Sequence, residues 1–430
     1  MIPWTDRPTH LHWLEAHARG LLEFGRGTVP DESGGRWLAD DGSVDASQPV
    51  FTWLTGRSAH VFALGALLGV PGTRPPAQRA ITALRTRLHD DDHGGWYASV
   101  GPDGTPDTTK SAYAHAFVVL AASTGTVAAL DGAPELLADA LAVLSERFWE
   151  PDAGMHADEW DGAWTRKDPY RGVNANMHSV EALLAATDAT GDPRWAHRAA
   201  TIAGRVVRWA RDGDWRIPEH FDAAWAPQPE LNRDRPDDQF KPYGATPGHG
   251  LEWSRLLLQV DATLAGAAPD ATAGTTAGGG TGTDAAPGDP DLVAAAAALY
   301  DRAVRDGWAA DGEPGFVYTT DWDGTPVVRT RMHWVTAEAI GAAAALHQAT
   351  GDHGYAEDYE RWWDYAAEHL LDHVNGSWHH ELDPSNSPTA TVWAGKPDLY
   401  HAFQAALLPA LPLSPGLAVA VRDGLRAVRR

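Results

Sequence analysis

The sequence predicts an all-helical fold in which six helix pairs close into an inner and an outer ring, an (α/α)6 barrel with short β-hairpins in its loops. Three observations predict it. Apolar residues recur at spacings of three and four in about a dozen stretches. Sustained strand alternation is nearly absent. An internal echo also marks a repeat: Glu181-Ala182 leads to Thr190-Gly191-Asp192, Glu338-Ala339 leads to Thr350-Gly351-Asp352, and each Gly-Asp opens another amphipathic stretch. Helix pairs that each bury one face must find neighbours, and about six of them in succession can close into two rings around a concave mouth.

In chain order the helical stretches lie near 10–25, 53–69, 76–89, 110–124, 134–149, 175–190, 194–212, 249–265, 290–306, 334–350, 355–373 and 398–410. Segments rich in Gly, Asp and Trp separate them, at 90–104, 319–327 and 376–386, and their turn residues favour short hairpins gathered at the mouth. Residues 265–290 are rich in Ala, Gly and Thr and have no apolar period, so they read as a disordered surface insertion. Helical pairing resumes at once beyond them, so residues 1–430 read as one catalytic domain.

Composition excludes several function classes. A net charge of −24 over 430 residues, with no compensating run of Lys and Arg, argues against nucleic acid or an anionic membrane surface as partner. No apolar run reaches the length of a membrane span, and the opening MIPWTDRPTHLHW lacks the pattern of a secretory leader. The absence of Cys removes thiolate metal sites, iron–sulfur clusters and a Cys nucleophile, and it suits a reducing compartment. The expectation is a cytoplasmic protein, monomeric or homo-oligomeric, that acts on a small molecule. Twenty Trp supply flat apolar faces that pack well against sugar C–H groups, and equally well in a core.

Four polar clusters fall at helix edges where such a mouth would lie. In Phe51-Thr52-Trp53-Leu54-Thr55-Gly56-Arg57, an Arg one turn beyond a Trp offers a planar fork to sugar hydroxyls, although a surface ion pair fits the same pattern. In Asn174-Ala175-Asn176-Met177-His178-Ser179-Val180-Glu181, Asn174 and His178 share a helix face, which suits hydroxyl recognition or simply a capped helix start. In Thr246-Pro247-Gly248-His249-Gly250-Leu251-Glu252-Trp253, Pro and Gly open a helix and set His249 in its first turn, where free N–H groups favour the neutral imidazole. Glu252, three residues on, is placed to fix the tautomer of His249 and offset its charge. Lys396-Pro397-Asp398-Leu399-Tyr400-His401 is another Pro-led helix start, with His401 expected in the second turn.

His379-His380-Glu381 suggests a metal, but neighbours on an extended segment point to opposite faces and no HExxH pair is present. Neither a GxSxG elbow nor a Gly-rich phosphate loop occurs. Neither a metal nor an organic cofactor is expected.

At these clusters the sequence resembles the N-acylglucosamine 2-epimerase superfamily, in its branch of mannose and sulfoquinovose isomerases. The resemblance runs from Trp13-Leu14-Glu15 to Pro412-Leu413-Ser414-Pro415-Gly416, apart from 265–290. Its longest motifs are Gly94-Gly95-Trp96-Tyr97, Tyr170 through His178, Glu219-His220-Phe221-Asp222, and Thr246 through His249 with Glu252-Trp253; Trp393, Gly395-Lys396 and Tyr400-His401 fit the same pattern. It implies an (α/α)6 barrel working without metal or nucleotide coenzyme, with His249 and His401 as the catalytic pair. Arg57, Asn174, His178 and Glu252 would hold the sugar, and Trp53, Tyr113, Met177, Trp334 and Glu338 would form its aromatic and lower walls. The sulfonate-contacting Arg of the sulfosugar enzymes corresponds to Gln239, and two of their Gln positions to His380 and Pro397, so an anionic headgroup would lose its charge partner. The implied reaction is aldose–ketose isomerisation of D-mannose, with D-lyxose as a second substrate, through a cis-enediol. Mannose 2-epimerisation and sulfoquinovose isomerisation are the alternatives.

Overall fold

Periodicity of three and four becomes thirteen α-helices among the residues that the computed structural model describes, 2–267 and 291–427. They are α1 (Pro8–Phe24), α2 (Thr52–Leu67), α3 (Arg74–Arg85), α4 (Ala112–Val127), α5 (Ala133–Val143), α6 (Val173–Thr190) and α7 (Arg194–Asp212), then α8 (Pro247–Ala267), α9 (Leu292–Gly307), α10 (His333–Thr350), α11 (His353–Tyr365), α12 (Tyr400–Leu407) and α13 (Leu417–Arg422). Because α8 continues through Ala267, the first three residues of the expected insertion are helical; the rest of it, 268–290, lies outside the described residues.

Burial sorts these helices into two rings. The even-numbered α2, α4, α6, α8, α10 and α12 are buried on nearly every face and pack each against the next, with α12 returning to α2. The odd-numbered α3, α5, α7, α9 and α11 are amphipathic, and each packs outside the inner helix that precedes it, while α1 covers α12. This is an (α/α)6 barrel. Small residues bring the inner helices together: a Cβ on Gly56 of α2 would lie 2.7 Å from the Phe117 carbonyl oxygen of α4. Gly191 and Gly351, the repeated Gly of the internal echo, end α6 and α10 with φ of 70° and 72°, a left-handed cap that Gly adopts at least cost. The helix α13, which the periodic reading did not anticipate, packs on α2, α4 and α6.

Two-residue strands fix where inner helices begin. Val50–Phe51 pairs with Ser99–Val100, Lys110–Ser111 with Glu159–Trp160, Arg171–Gly172 with His220–Phe221, and Arg331–Met332 with Glu381–Leu382, all antiparallel. In each pair the first strand runs straight into α2, α4, α6 or α10, so the hairpins set the register of the first turn. No helix among the described residues is long and apolar enough to cross a membrane.

Candidate active site

A cavity opens at the N-terminal end of the inner ring, and all six inner helices line it from their first two turns. The second residue of a helix contributes five times: Trp53 on α2, Tyr113 on α4, Asn174 on α6, Trp334 on α10 and His401 on α12. One turn deeper come Arg57, His178 and Glu252, while His249 occupies the third position of α8. Loops close the sides with Gln239, Phe240, Tyr318, His380, Trp393, Pro397 and Asp398.

The two histidines foreseen as a pair are held alike. His249 Nδ1 lies 2.9 Å from Glu219 Oε2, and His401 Nδ1 lies 2.8 Å from Glu338 Oε1. With Nδ1 engaged, Nε2 is the nitrogen left for chemistry in each ring. Trp334 touches both, its ring centroid 5.3 Å from that of His249 and 5.8 Å from that of His401. Burial, then the nearby Arg57 charge, holds His401 well below the usual imidazole range, so it is neutral at rest. Burial likewise pulls His178 down to about 4.

Beneath the histidines lies a cluster of buried charge. Glu252 Oε1 is 3.8 Å from His178 Nδ1 and 3.6 Å from Arg255 Nη2. Burial and the charge of Glu338 push the Glu252 carboxyl well above the usual range, and burial also raises Glu338 against the pull of Arg255. Glu181 takes the opposite direction: against the cost of burial, its contact with His178 and the charge of Arg255 keep it low, and it accepts from the Tyr400 hydroxyl and Gln404 Nε2. Arg57 is ion-paired with Asp398, donates to the Tyr113 hydroxyl at 2.9 Å, and lies over the rings of Phe117 and Tyr400. Burial raises Tyr113 to about 12, so it stays a phenol.

Four sequence expectations are corrected here. Glu252 does not orient His249; Glu219 does, because three residues along α8 point Glu252 down the ring axis toward His178. Met177 is fully buried and lines no part of the cavity, being one helix position away from the face that carries Asn174 and His178. Glu338 sits behind His401 instead of on the wall. His401 falls in the first turn, since α12 starts only at Tyr400, whose N–H is capped by Asp398 Oδ1 at 2.8 Å. The remaining candidates, Trp53, Arg57, Tyr113, Asn174, His178, Gln239, His249, Trp334, His380 and His401, converge on one cavity. Gln239 also ties its loop across the mouth by donating to the Val392 carbonyl at 3.2 Å.

Sequence reasoning missed His333, which lines the cavity and stacks on His380 with centroids 3.8 Å apart. Its position immediately before Trp334 was the available signal. Two trios, His178–Glu181–Glu252 and Glu252–Glu338–His401, bring donor atoms within 4.8 Å of one another, a spacing that suits a metal ion. The Arg255 guanidinium already stands against Glu252 and Glu338, and His401 Nδ1 is engaged by Glu338, so the donor set fits a cation poorly.

A match to the N-acylglucosamine 2-epimerase (GlcNAc 2-epimerase) family spans residues 34–405. The chain belongs to this family. Among its curated relatives, a D-mannose isomerase of Thermobifida fusca is 48% identical over 98% of this chain and 99% of its own. A D-mannose isomerase of Pseudomonas cannabina pv. alisalensis is 42% identical over 97% of both chains. In structure the chain is similar to a crystallised D-mannose isomerase, with TM-score 0.82 and 29% identity over 94% of this chain and 98% of the other. A cellobiose 2-epimerase from Spirochaeta thermophila shares the barrel, at TM-score 0.76 and 21% identity over 94% of this chain and 97% of the other.

Proposed function

We propose that this enzyme is an aldose–ketose isomerase that interconverts D-mannose and D-fructose, and by the same chemistry D-lyxose and D-xylulose, through a cis-enediol. The observation that carries this reading is the pair of imidazoles, each backed by a carboxylate through Nδ1 and each in contact with Trp334, in one cavity. Isomerisation takes a proton from C2, returns one to C1 and shelters the enediolate between, and the C2 proton is weakly acidic. A base with a free Nε2 therefore needs electrostatic help. Arg57 and the N–H groups of converging helix N-termini stabilise the oxyanion, each preorganised donor contributing on the order of 2–4 kcal/mol. His249 and His401 exchange protons with the sugar, and Glu252 and His178 balance their charge from below.

The neutral cavity suits an uncharged sugar. Gln239, His380 and Pro397 line it, and the resting charge of Arg57, the one Arg or Lys among these lining residues, is balanced by Asp398, so a permanently anionic headgroup meets no additional cation. The high identity to D-mannose isomerases supports mannose over other aldoses.

The test is product analysis after dialysis against EDTA, with mannose, glucose, lyxose and sulfoquinovose as substrates. Fructose from mannose, at a rate the chelator leaves unchanged, is expected. Glucose formed from mannose without fructose would make the enzyme a 2-epimerase, and turnover confined to sulfoquinovose would refute the assignment of a neutral substrate.

A further inference from the structure

Arg255 lies outside the cavity wall and is almost fully buried, yet it is tied to the site more closely than several residues that line it. Its Nε donates to Glu338 Oε2 at 3.0 Å, and its Nη2 stands 2.9 Å from the same oxygen. The other oxygen of Glu338 meets His401 Nδ1 at 2.8 Å. A continuous relay thus runs from α8 through α10 to α12: guanidinium, carboxylate, imidazole. Nη1 reaches Gln259 Oε1 at 3.3 Å, one turn along α8, which braces the fork. On the facing α10, a Cβ at Gly341 would stand 3.3 Å from Arg255 Cδ, so the bare glycine leaves room for the stem.

We propose that Arg255 is a positioning residue that sets the tautomer of His401, by keeping Glu338 ionised so that it accepts the Nδ1 proton and leaves Nε2 unprotonated toward the substrate. The reason is electrostatic. Glu338 and Glu252 are both buried beside Glu181, and burial together with mutual repulsion drives such carboxyls to take up protons. A protonated Glu338 donates to Nδ1, which moves the imidazole proton to Nε2 and removes the lone pair that the reaction needs. Arg255 is the positive charge nearest to Glu338 among the described ion pairs, and its fork fixes which oxygen faces His401. The partner dyad, His249–Glu219, has no Arg or Lys paired with its carboxylate among the described residues. The two histidines are therefore not equivalent, although both meet a glutamate.

This inference rests on the reading of His401 as an acid–base group, and the experiment separates the two. Long-range ¹H–¹⁵N spectra of the intact protein report the tautomer of His401, assigned by its loss in His401→Asn, with no substrate present. Wild type is expected to show the Nδ1–H form, and Arg255→Met the Nε2–H form. In turnover, Arg255→Met should lower kcat about 10²–10³-fold with KM changed less than about threefold. Arg255→Lys, which keeps the charge but loses the fork, should recover at least tenfold of that loss. Arg255→Met combined with Glu338→Gln should be no slower than Glu338→Gln alone, because one acts through the other. An unchanged tautomer in Arg255→Met, or losses that multiply in the double variant, would overturn the proposal. Should Arg255→Met not fold, Arg255→Lys carries the test: the Nε2–H form in that folded, charged variant would overturn it equally. A His401→Asn enzyme with full activity would refute the acid–base role while leaving the tautomer result intact.

Discussion

His249 and His401 each sit in the first turn of an inner helix with Nδ1 bound to a glutamate, and that single hydrogen bond leaves Nε2 as the unengaged ring nitrogen. Replacing either by Asn keeps a polar side chain of smaller size, so the fold should persist while kcat/KM falls about 10²–10⁴-fold. Steady-state assay with circular dichroism checks this, and a variant keeping more than about a tenth of the activity would remove that residue from proton transfer. Glu252 offers the converse experiment. Its carboxyl is pushed well up by burial and by Glu338, which means that folding disfavours its charge. Glu252→Gln removes that conflict, so thermal denaturation should show Tm raised by about 1–3 °C while activity drops. A lower Tm would mean that the pull of Arg255 outweighs burial.

At the scale of elements, the hairpins hold the helix starts, and buried lysines hold the hairpins. Lys110 is fully buried with Nζ 2.6 Å from Asp90 Oδ2, joining the strand before α4 to the turn that begins at Asp90. Lys396 repeats the device, donating to Asp372 and to the Gly376 carbonyl in the corresponding turn before α12. Lys110→Met leaves the Asp90 carboxylate buried without its cation, for an expected loss of about 3–5 kcal/mol in urea denaturation. Adding Asp90→Asn should recover part of it. If Lys110→Met alone were neutral, water would have to reach Asp90 freely.

Over the whole molecule, closing the ring buries many imidazoles at once. Burial lowers His60, His178 and His333 to about 4, and His115 and His156 to about 3. In the unfolded chain each titrates near 6.5, so between pH 6.5 and these values the unfolded state binds more protons. Their contribution to stability is complete above pH 6.5 and is lost as the pH falls toward 4. Asp158, raised to about 7 by burial, runs the other way: its share is full in acid and lost as pH rises from about 4 to 7. These five histidines, together with the lowered His401, outnumber the raised Asp158, Glu252 and Glu338, so the urea midpoint should fall from pH 7 to pH 5, each histidine adding at most about 1.4 kcal/mol per pH unit. His156→Leu should flatten the slope, since neither ring nitrogen of His156 has a partner; an unchanged slope would show that His156 is solvated.

What was legible in the chain was local. The period of three and four marked all six inner helices, Pro and Gly marked the first turns that carry His249 and the approach to His401, and Thr-Gly-Asp marked two helix ends, because periodicity, caps and breakers act over a few residues. Glu219 and Arg255 were not legible as partners of the His249–His401 pair. Glu219 is 30 residues from His249, in the loop after α7, and Arg255 is 83 from Glu338, on a different helix. Met177 was misplaced because one helix step turns a side chain by about 100°, which separates a wall from a core. Sequence by itself determined that this chain would form paired helices with short hairpins, and which histidines would stand at helix starts. Only the tertiary structure decided that six N-termini meet around one cavity, and which carboxylate serves each imidazole. Those contacts join segments far apart in the chain, and they exist only once the inner ring has closed and excluded water.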